Sequence, residues 1–294
     1  MRRSMLFLPG NTPNMIIHGD SLGADAIILD LEDAVAPDEK DAARILVRNA
    51  LKYQDFGRCE TIVRINGLDT SEWQLDLQTL CPLQPDFIMP PKVGSAEDIL
   101  KIDHYLSQLE TQLHLPPNAV GLIALLETAL GIENAFAIAS ASSRVKALFL
   151  GGEDLTADLH CQRTAKGEEI RYARSRLVCA ARAAGIDAYD TPFTDVNDDE
   201  GIWEDAQFAR SLGFTGKAAI SPRHVKAINQ VFSPSEKEIA YAYEVMEVIQ
   251  AAKEQGRGAV SLRGKMIDAP IVERAKQTIA MAQALQEIGG SNYV

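Results

Sequence analysis

The sequence predicts an α/β fold: a (β/α)8 TIM barrel with a C-terminal helical extension. Short apolar runs and helix-like stretches alternate eight times with no long structureless gap between them, which is the pattern of parallel strands joined by crossover helices. Eight units in about 220 residues fit a closed barrel better than an open doubly wound sheet. Several of the runs also end in charge or glycine. Ala26-Ile27-Ile28-Leu29 leads into Asp30-Leu31-Glu32-Asp33, Thr61-Ile62-Val63 into Arg64, Leu122-Ile123-Ala124-Leu125-Leu126 into Glu127, and Ala147-Leu148-Phe149-Leu150 into Gly151-Gly152-Glu153-Asp154. A strand buried on both faces reads as a continuous apolar run, and charge at its end is costly unless paired or metal-bound. Parallel strands gather such ends on the one rim where barrel enzymes keep their chemistry.

The first expected strand, Met5–Leu8, is stopped by Pro9-Gly10. The second is Ala26–Leu31, followed by a helix over Glu39–Tyr53 whose apolar residues at 42, 43, 46, 47 and 50 form one stripe. Thr61–Ile65 and Asp86–Met89 are the third and fourth strands. The helix Ser95–Leu113 opens on Ser95 with Asp98 three residues later, an acidic start of capping type. Gly121–Leu126 and Ala147–Leu150 follow as strands, then a helix over Glu168–Ala184 and the seventh strand, Ala188–Thr191. A helix over Asp198–Leu212 closes at Gly213, and Gly216–Ile220 completes the eight. The barrel is expected to occupy residues 1–232. Residues 233–294 form a C-terminal helical segment: a long helix over Pro234–Gln255, a break at Gly256-Arg257-Gly258, a strand or loop over Val260–Asp268, and a helix over Ala269–Ile288 with Pro270 in its first turn. This segment is too small for an enzyme domain of its own. It is expected to pack on the barrel or to reach a neighbouring subunit.

Composition narrows the function. A hydrophobic fraction of 46% supports a full core, so disorder is not expected. With 29 basic against 41 acidic residues the net charge is −12, which argues against nucleic-acid binding but not against a small anionic ligand met by a local basic cluster. The four cysteines (59, 81, 161, 179) have no CxxC spacing and read as reduced packing thiols of a cytoplasmic protein. The N-terminal apolar run is cut by Pro9-Gly10 and is too short for a signal peptide. No run approaches the ~20 apolar residues of a membrane helix.

Glu127 and Asp154 end adjacent expected strands. Two carboxylates completed by water and substrate oxygens suit Mg²⁺; helix capping or lysine pairing is the other reading. Strict alternation puts Glu32 and Asp33 on opposite sides of a continuing strand, so at most one of them points straight into the site; Asp33 is taken as the candidate acid or water-holding group, with turn capping as its equal alternative. Arg64 offers a planar fork for a substrate carboxylate, with a structural ion pair as the alternative. Lys92, after Met89-Pro90-Pro91, serves the same face or is a solvated loop lysine. Gly151 and Gly152, leading into Glu153, allow main-chain N–H groups to approach a carboxylate or oxyanion. No phosphate loop of the G-x-x-x-x-G-K-[ST] type and no G-x-G-x-x-G after a strand is present, so nucleotide and dinucleotide chemistry are unsupported. Lys217 stands at the wrong end of its strand for Schiff-base catalysis. The histidines make no paired spacing and read mostly as surface residues.

Seven stretches together resemble one family: RRSMLFLPGN (2–11), ILDLEDAVAPDEKDAAR (28–44), TIVRIN (61–66), ALLETALGI (124–132), LGGEDLTADL (150–159), FTGKAAISPRHV (214–225) and SLRGKMIDAPIVERA (261–275). The chain is similar to the citrate lyase β-subunit group of the wider Mg²⁺-dependent malyl-CoA/citramalyl-CoA lyase (HpcH/HpaI aldolase) superfamily. The resemblance implies a (β/α)8 barrel, usually a homotrimer. It implies Mg²⁺ held by Glu127 and Asp154, Arg64 gripping a substrate carboxylate, and Asp268 as an acid/base group delivered to a neighbouring subunit's site. Read bottom-up, Asp268 fits equally well as the N-cap of the last helix. The implied reaction is retro-Claisen cleavage of a citryl- or citramalyl-type 3-hydroxyacyl thioester to an acetyl thioester and a 2-oxo acid, oxaloacetate or pyruvate. A malyl-thioester lyase with thioesterase or synthase activity is an alternative, as is a non-autonomous subunit of a larger lyase complex. CoA-using members carry an Arg and a Lys where this chain has Thr12 and His18. That favours an acyl-carrier-protein thioester, or an acyl-CoA site using other groups, with Phe7, Lys40 and Arg44 as the candidates. Gly-Gly-Glu-Asp in place of Gly-Ala-Glu-Asp points instead toward citramalyl-CoA lyases.

Overall fold

The computed structural model describes residues 1–254 and 260–289. The eight predicted strands are present as β1 (Ser4–Pro9), β2 (Ala26–Asp30), β3 (Glu60–Arg64), β4 (Phe87–Met89), β5 (Gly121–Leu126), β6 (Val145–Leu150), β7 (Asp187–Asp190) and β8 (Gly216–Ala219). They pair in parallel with their sequence neighbours, and β8 returns to β1 to close the barrel. The helices of this unit are α1 (Pro13–Ile17), α2 (Lys40–Tyr53), α3 (Glu72–Leu80), α4 (Ala96–Gln112), α5 (Ala129–Glu133), α6 (Ala135–Ser140), α7 (Gly152–Asp158), α8 (Arg171–Ala183), α9 (Asp199–Leu212) and α10 (Pro222–Phe232).

The unbroken apolar strands reflect burial on two faces. Met5, Ile28, Ile62, Met89, Leu125, Phe149, Tyr189 and Ala218 point inward and fill the barrel. Their neighbours Leu6, Leu29, Val63, Ile88, Leu126, Leu148 and Ala188 point outward against the helices. Helix boundaries follow local chemistry. Ser95 and Asp98 form a reciprocal capping box at the start of α4. Asp198 accepts from the Gly201 N–H at the start of α9, and Gly213 closes that helix at φ 101°, where only glycine is unstrained. The α8 region begins later than its pattern suggests: Glu168–Ile170 is a 3₁₀ turn entered from Gly167 at φ 63°.

The chain divides into two compact units, Arg2–Phe232 and the segment from Ser233 onward with Met1. The second contains α11 (Glu236–Glu254), β9 (Val260–Leu262), β10 (Lys265–Ile267) and α12 (Ala269–Gly289). The expected strand or loop at 260–268 is an antiparallel hairpin, turned by Arg263 and Gly264 at φ 52° and 77°, as two-residue hairpin turns require. Ala242, Val245, Ile267 and Ala275 make its core. The predicted break at Gly256-Arg257-Gly258 lies outside the described residues. No helix among the described residues is long and apolar enough to cross a membrane.

Candidate active site

The inward register of the barrel continues one step past several strand ends. Two residues beyond Ile28, Ile62, Leu125, Phe149 and Tyr189 stand Asp30, Arg64, Glu127, Gly151 and Thr191, and all five line one cavity of about 460 Å³. Phe7, Pro9, Asp33, Gly152, Glu153, Asp154 and Ile220 are among the other residues on its wall. Period-two geometry therefore selects the site's residues.

Arg64 is held by Asp30, a residue that its own strand pattern does not point to. Asp30 and Arg64 are register partners on β2 and β3. The Arg64 Nε and Nη2 groups donate to the two Asp30 oxygens at 2.7 and 2.6 Å, a bidentate clamp. Nη1 lies 3.1 Å from Glu32 and 3.8 Å from Asp33. Asp30 is 1% exposed and also accepts from the Glu32 and Ala34 N–H groups. Burial opposes the Arg64 charge, but hydrogen bonds and attraction from Asp30, with help from Glu32 and Glu127, outweigh it and keep the guanidinium firmly protonated.

The separation of Glu32 from Asp33 by strand alternation does not hold. β2 ends at Asp30 and the chain turns, so period two lapses and both carboxylates reach the same cations. Lys92 Nζ lies 2.9 Å from Glu32, 4.0 Å from Asp33 and 3.9 Å from Asp154. Lys92 is thus bound into the acidic rim rather than freely solvated.

Glu127 is 3% exposed and accepts the Lys92 backbone N–H at 2.9 Å. Burial first, then the neighbouring Asp154 carboxylate, push its carboxyl up to about 8 against the pull of Arg64. A buried carboxylate crowded by a second one is the situation a divalent cation relieves. Among the described residues no cluster of three or more His, Cys, Asp or Glu has metal-holding geometry. Two carboxylates on one cavity wall, Glu127 and Asp154, could hold a divalent cation whose remaining positions are filled by water and substrate oxygens, the coordination that magnesium takes. The Gly151 φ and ψ of −99° and 100° are ordinary; the glycine is needed for space, because a Cβ there would stand 2.6 Å from Glu127 Cβ.

A protein-family model described as HpcH/HpaI aldolase/citrate lyase matches residues 3–222. The chain belongs to this family. It is 42% identical to the citrate lyase subunit beta of Leuconostoc mesenteroides subsp. cremoris, covering all of this chain and 98% of that one. It is 35% identical to an L-malyl-CoA/beta-methylmalyl-CoA lyase of Cereibacter sphaeroides, over 96% and 95% of the two chains. Among solved structures, the protein CitE of Mycobacterium tuberculosis in complex with magnesium, acetoacetate and coenzyme A superposes with a TM-score of 0.78 at 32% identity, over 96% and 98%. These relatives are carbon–carbon lyases of the HpcH/HpaI aldolase/citrate lyase family, and so is this chain.

Within this family member, Phe7 is the one thioester candidate on the cavity wall; its ring lies 5.1 Å from the Arg64 guanidinium. Lys40 donates to the Leu31 and Glu32 carbonyls at 2.8 and 2.7 Å, and Arg44 is buried beneath Asp41, Glu72 and Asp76. Both serve the β2–α2 connection, and neither lines the cavity. The Gly151–Gly152 amides are not free for a ligand either. Gly151 N–H donates to the Leu126 carbonyl at 3.0 Å and Gly152 N–H to Thr191 Oγ1 at 2.9 Å. Asp268 caps α12 through Ile271 N–H at 3.2 Å. Lys217 is buried in ion pairs with Asp190 and Asp205 at 2.7 and 2.6 Å on the outer face of the sheet, consistent with a structural role. His224 is not a surface residue but is buried beside Phe193. Of the thiols, Cys161 and Cys179 are exposed rather than packed. Burial raises Cys81 to about 11 and Cys59 to about 12, which leaves both inert.

Sequence reasoning missed Asp30 and Thr191 as site residues. Counting two residues on from Ile28 and Tyr189 finds both.

Proposed function

We propose that this chain cleaves a citryl- or citramalyl-type 3-hydroxyacyl thioester to an acetyl thioester and a 2-oxo acid. The observation that carries the reading is the single cavity in which buried Glu127 lies beside Asp154 and faces Arg64. Glu127 and Asp154 would hold Mg²⁺, which supplies a Lewis acid for the substrate's hydroxyl and carboxylate oxygens. Arg64 gives two of its five N–H bonds to Asp30 and sets Nη1 3.1 Å from Glu32; the charge that remains would meet the oxo-acid carboxylate. A water held at Asp33 on the acidic rim would take the hydroxyl proton, so that the hydroxyl carbon becomes the oxo-acid carbonyl as the C–C bond breaks, its electron pair passes to the acetyl thioester enolate, and the proton spent on the enolate is replaced through that water. Asp268, assigned by the family resemblance and arriving from a neighbouring subunit of a homotrimer, then protonates the enolate carbon. Identity of 42% to a citrate lyase subunit beta supports the citryl substrate. The same relative's naming as a subunit supports a second reading, a component that needs partner chains.

The test is direct. Purified protein with Mg²⁺ is given citryl-CoA, citramalyl-CoA and malyl-CoA separately, and oxo-acid release is followed through a coupled dehydrogenase. Oxaloacetate from citryl-CoA or pyruvate from citramalyl-CoA establishes the stand-alone lyase. Silence with all three, relieved by a carrier-protein thioester or partner subunits, establishes the dependent one.

A further inference from the structure

We propose that Thr191 is a substrate-binding residue whose hydroxyl donates a hydrogen bond to the carboxylate of the 2-oxo acid. The proposal rests on the lyase reading above and deepens it. Thr191 follows β7, lines the cavity, and is 1% exposed. A hydroxyl carries one donor and two acceptor sites. Its oxygen accepts the Gly152 N–H at 2.9 Å, which orients it and leaves its proton to be given elsewhere. Gly152 is glycine for the sake of this contact, since a Cβ there would stand 2.7 Å from Thr191 Oγ1. The Thr191 carbonyl is held in turn by Lys217 Nζ at 2.6 Å, within the buried set formed with Asp190, Asp205 and Arg174. The backbone on both sides of the hydroxyl is therefore fixed before a ligand arrives. The amide expected from sequence to grip the carboxylate is spent on Thr191, and Thr191 carries that donor function one bond further into the cavity.

Thr191→Val keeps the shape and removes the donor, while Thr191→Ser keeps the donor. Mg²⁺ binding and pyruvate or oxaloacetate binding in the presence of Mg²⁺ are measured separately by calorimetry, together with KM and kcat. The expected result is a loss of oxo-acid affinity of about ten- to a hundredfold in Thr191→Val, the usual size for a hydrogen bond to a charged group. Mg²⁺ affinity should stay within about twofold, and Thr191→Ser should recover most of the loss. Wild-type oxo-acid affinity in Thr191→Val overturns the proposal. So does a parallel fall in Mg²⁺ and oxo-acid binding, which would make Thr191 only a support for α7. If Thr191→Val does not fold, Thr191→Ala makes the same comparison. A wild-type protein that binds neither oxo acid overturns the lyase reading and this proposal together; a normal wild type with an indifferent variant overturns this proposal alone.

Discussion

Lys92 and Glu127 are joined through the main chain: the Lys92 N–H donates to Glu127 Oε1 at 2.9 Å while Lys92 stands at φ 53°. A left-handed lysine is uncommon outside constrained sites. Here it aims the amide at one candidate metal ligand, while the same residue's ammonium lies 3.9 Å from the other, Asp154.

Two carboxylates placed this way trade stability for chemistry. Glu127→Gln keeps an oxygen for the Lys92 N–H and removes the buried like-charge contact. The metal-free variant should melt at or above the wild-type temperature, should lose the Mg²⁺-dependent rise in melting temperature, and should lose turnover by at least about a hundredfold. Asp154→Asn should behave alike. Thermal scans with and without Mg²⁺ check both; a retained Mg²⁺ shift in either variant removes that residue from the metal site.

Asp268→Asn should preserve folding, because Asn caps a helix as well as Asp does, and should abolish turnover while sparing oxo-acid binding. If the residue serves a neighbouring subunit, a mixture of Asp268→Asn and Glu127→Gln chains, refolded together, regains part of the activity that each lacks alone. An active Asp268→Asn enzyme refutes the proton-transfer assignment.

Lys217 is held by Asp190, Asp205 and the Thr191 carbonyl. Breaking a buried ion set by removing one member costs about 3–5 kcal/mol, so Lys217→Met should lower denaturant stability by that amount. Borohydride added with oxo acid should trap no adduct on Lys217 in the wild type. Mass spectrometry of the treated chain decides it.

Glu169 accepts from the Thr164 N–H and hydroxyl and from Arg163. Burial raises its carboxyl, but these hydrogen bonds outweigh burial and hold it at about 2. A carboxyl depressed on folding stabilises above its unfolded pKa of about 4.3. That contribution should fade as the pH falls from there toward about 2. Unfolding curves of wild type and Glu169→Gln should therefore differ at pH 6 and converge in acid; a gap independent of pH contradicts the linkage.

The sequence by itself determined the order of eight strands, the two-faced burial of each, and the chemistry of the barrel rim, because these are local: an apolar run and the charge that ends it are written contiguously. Glu127, Asp154, Arg64, Asp33, Gly151, Gly152, Glu153 and Phe7 all reach one cavity for that reason. The hairpin at 260–267 reads in the sequence as either strand or loop, because short segments carry little periodicity. Tertiary structure decided who pairs with whom. Arg64 is claimed by Asp30, 34 positions away, and the Gly152 amide by Thr191, 39 positions away. Both partners are set by the lateral register of the closed barrel, which no local pattern encodes. Lys40 and Arg44 went to structural partners for the same reason: a cation on a helix pairs with whichever carbonyls and carboxylates the folded chain brings beside it.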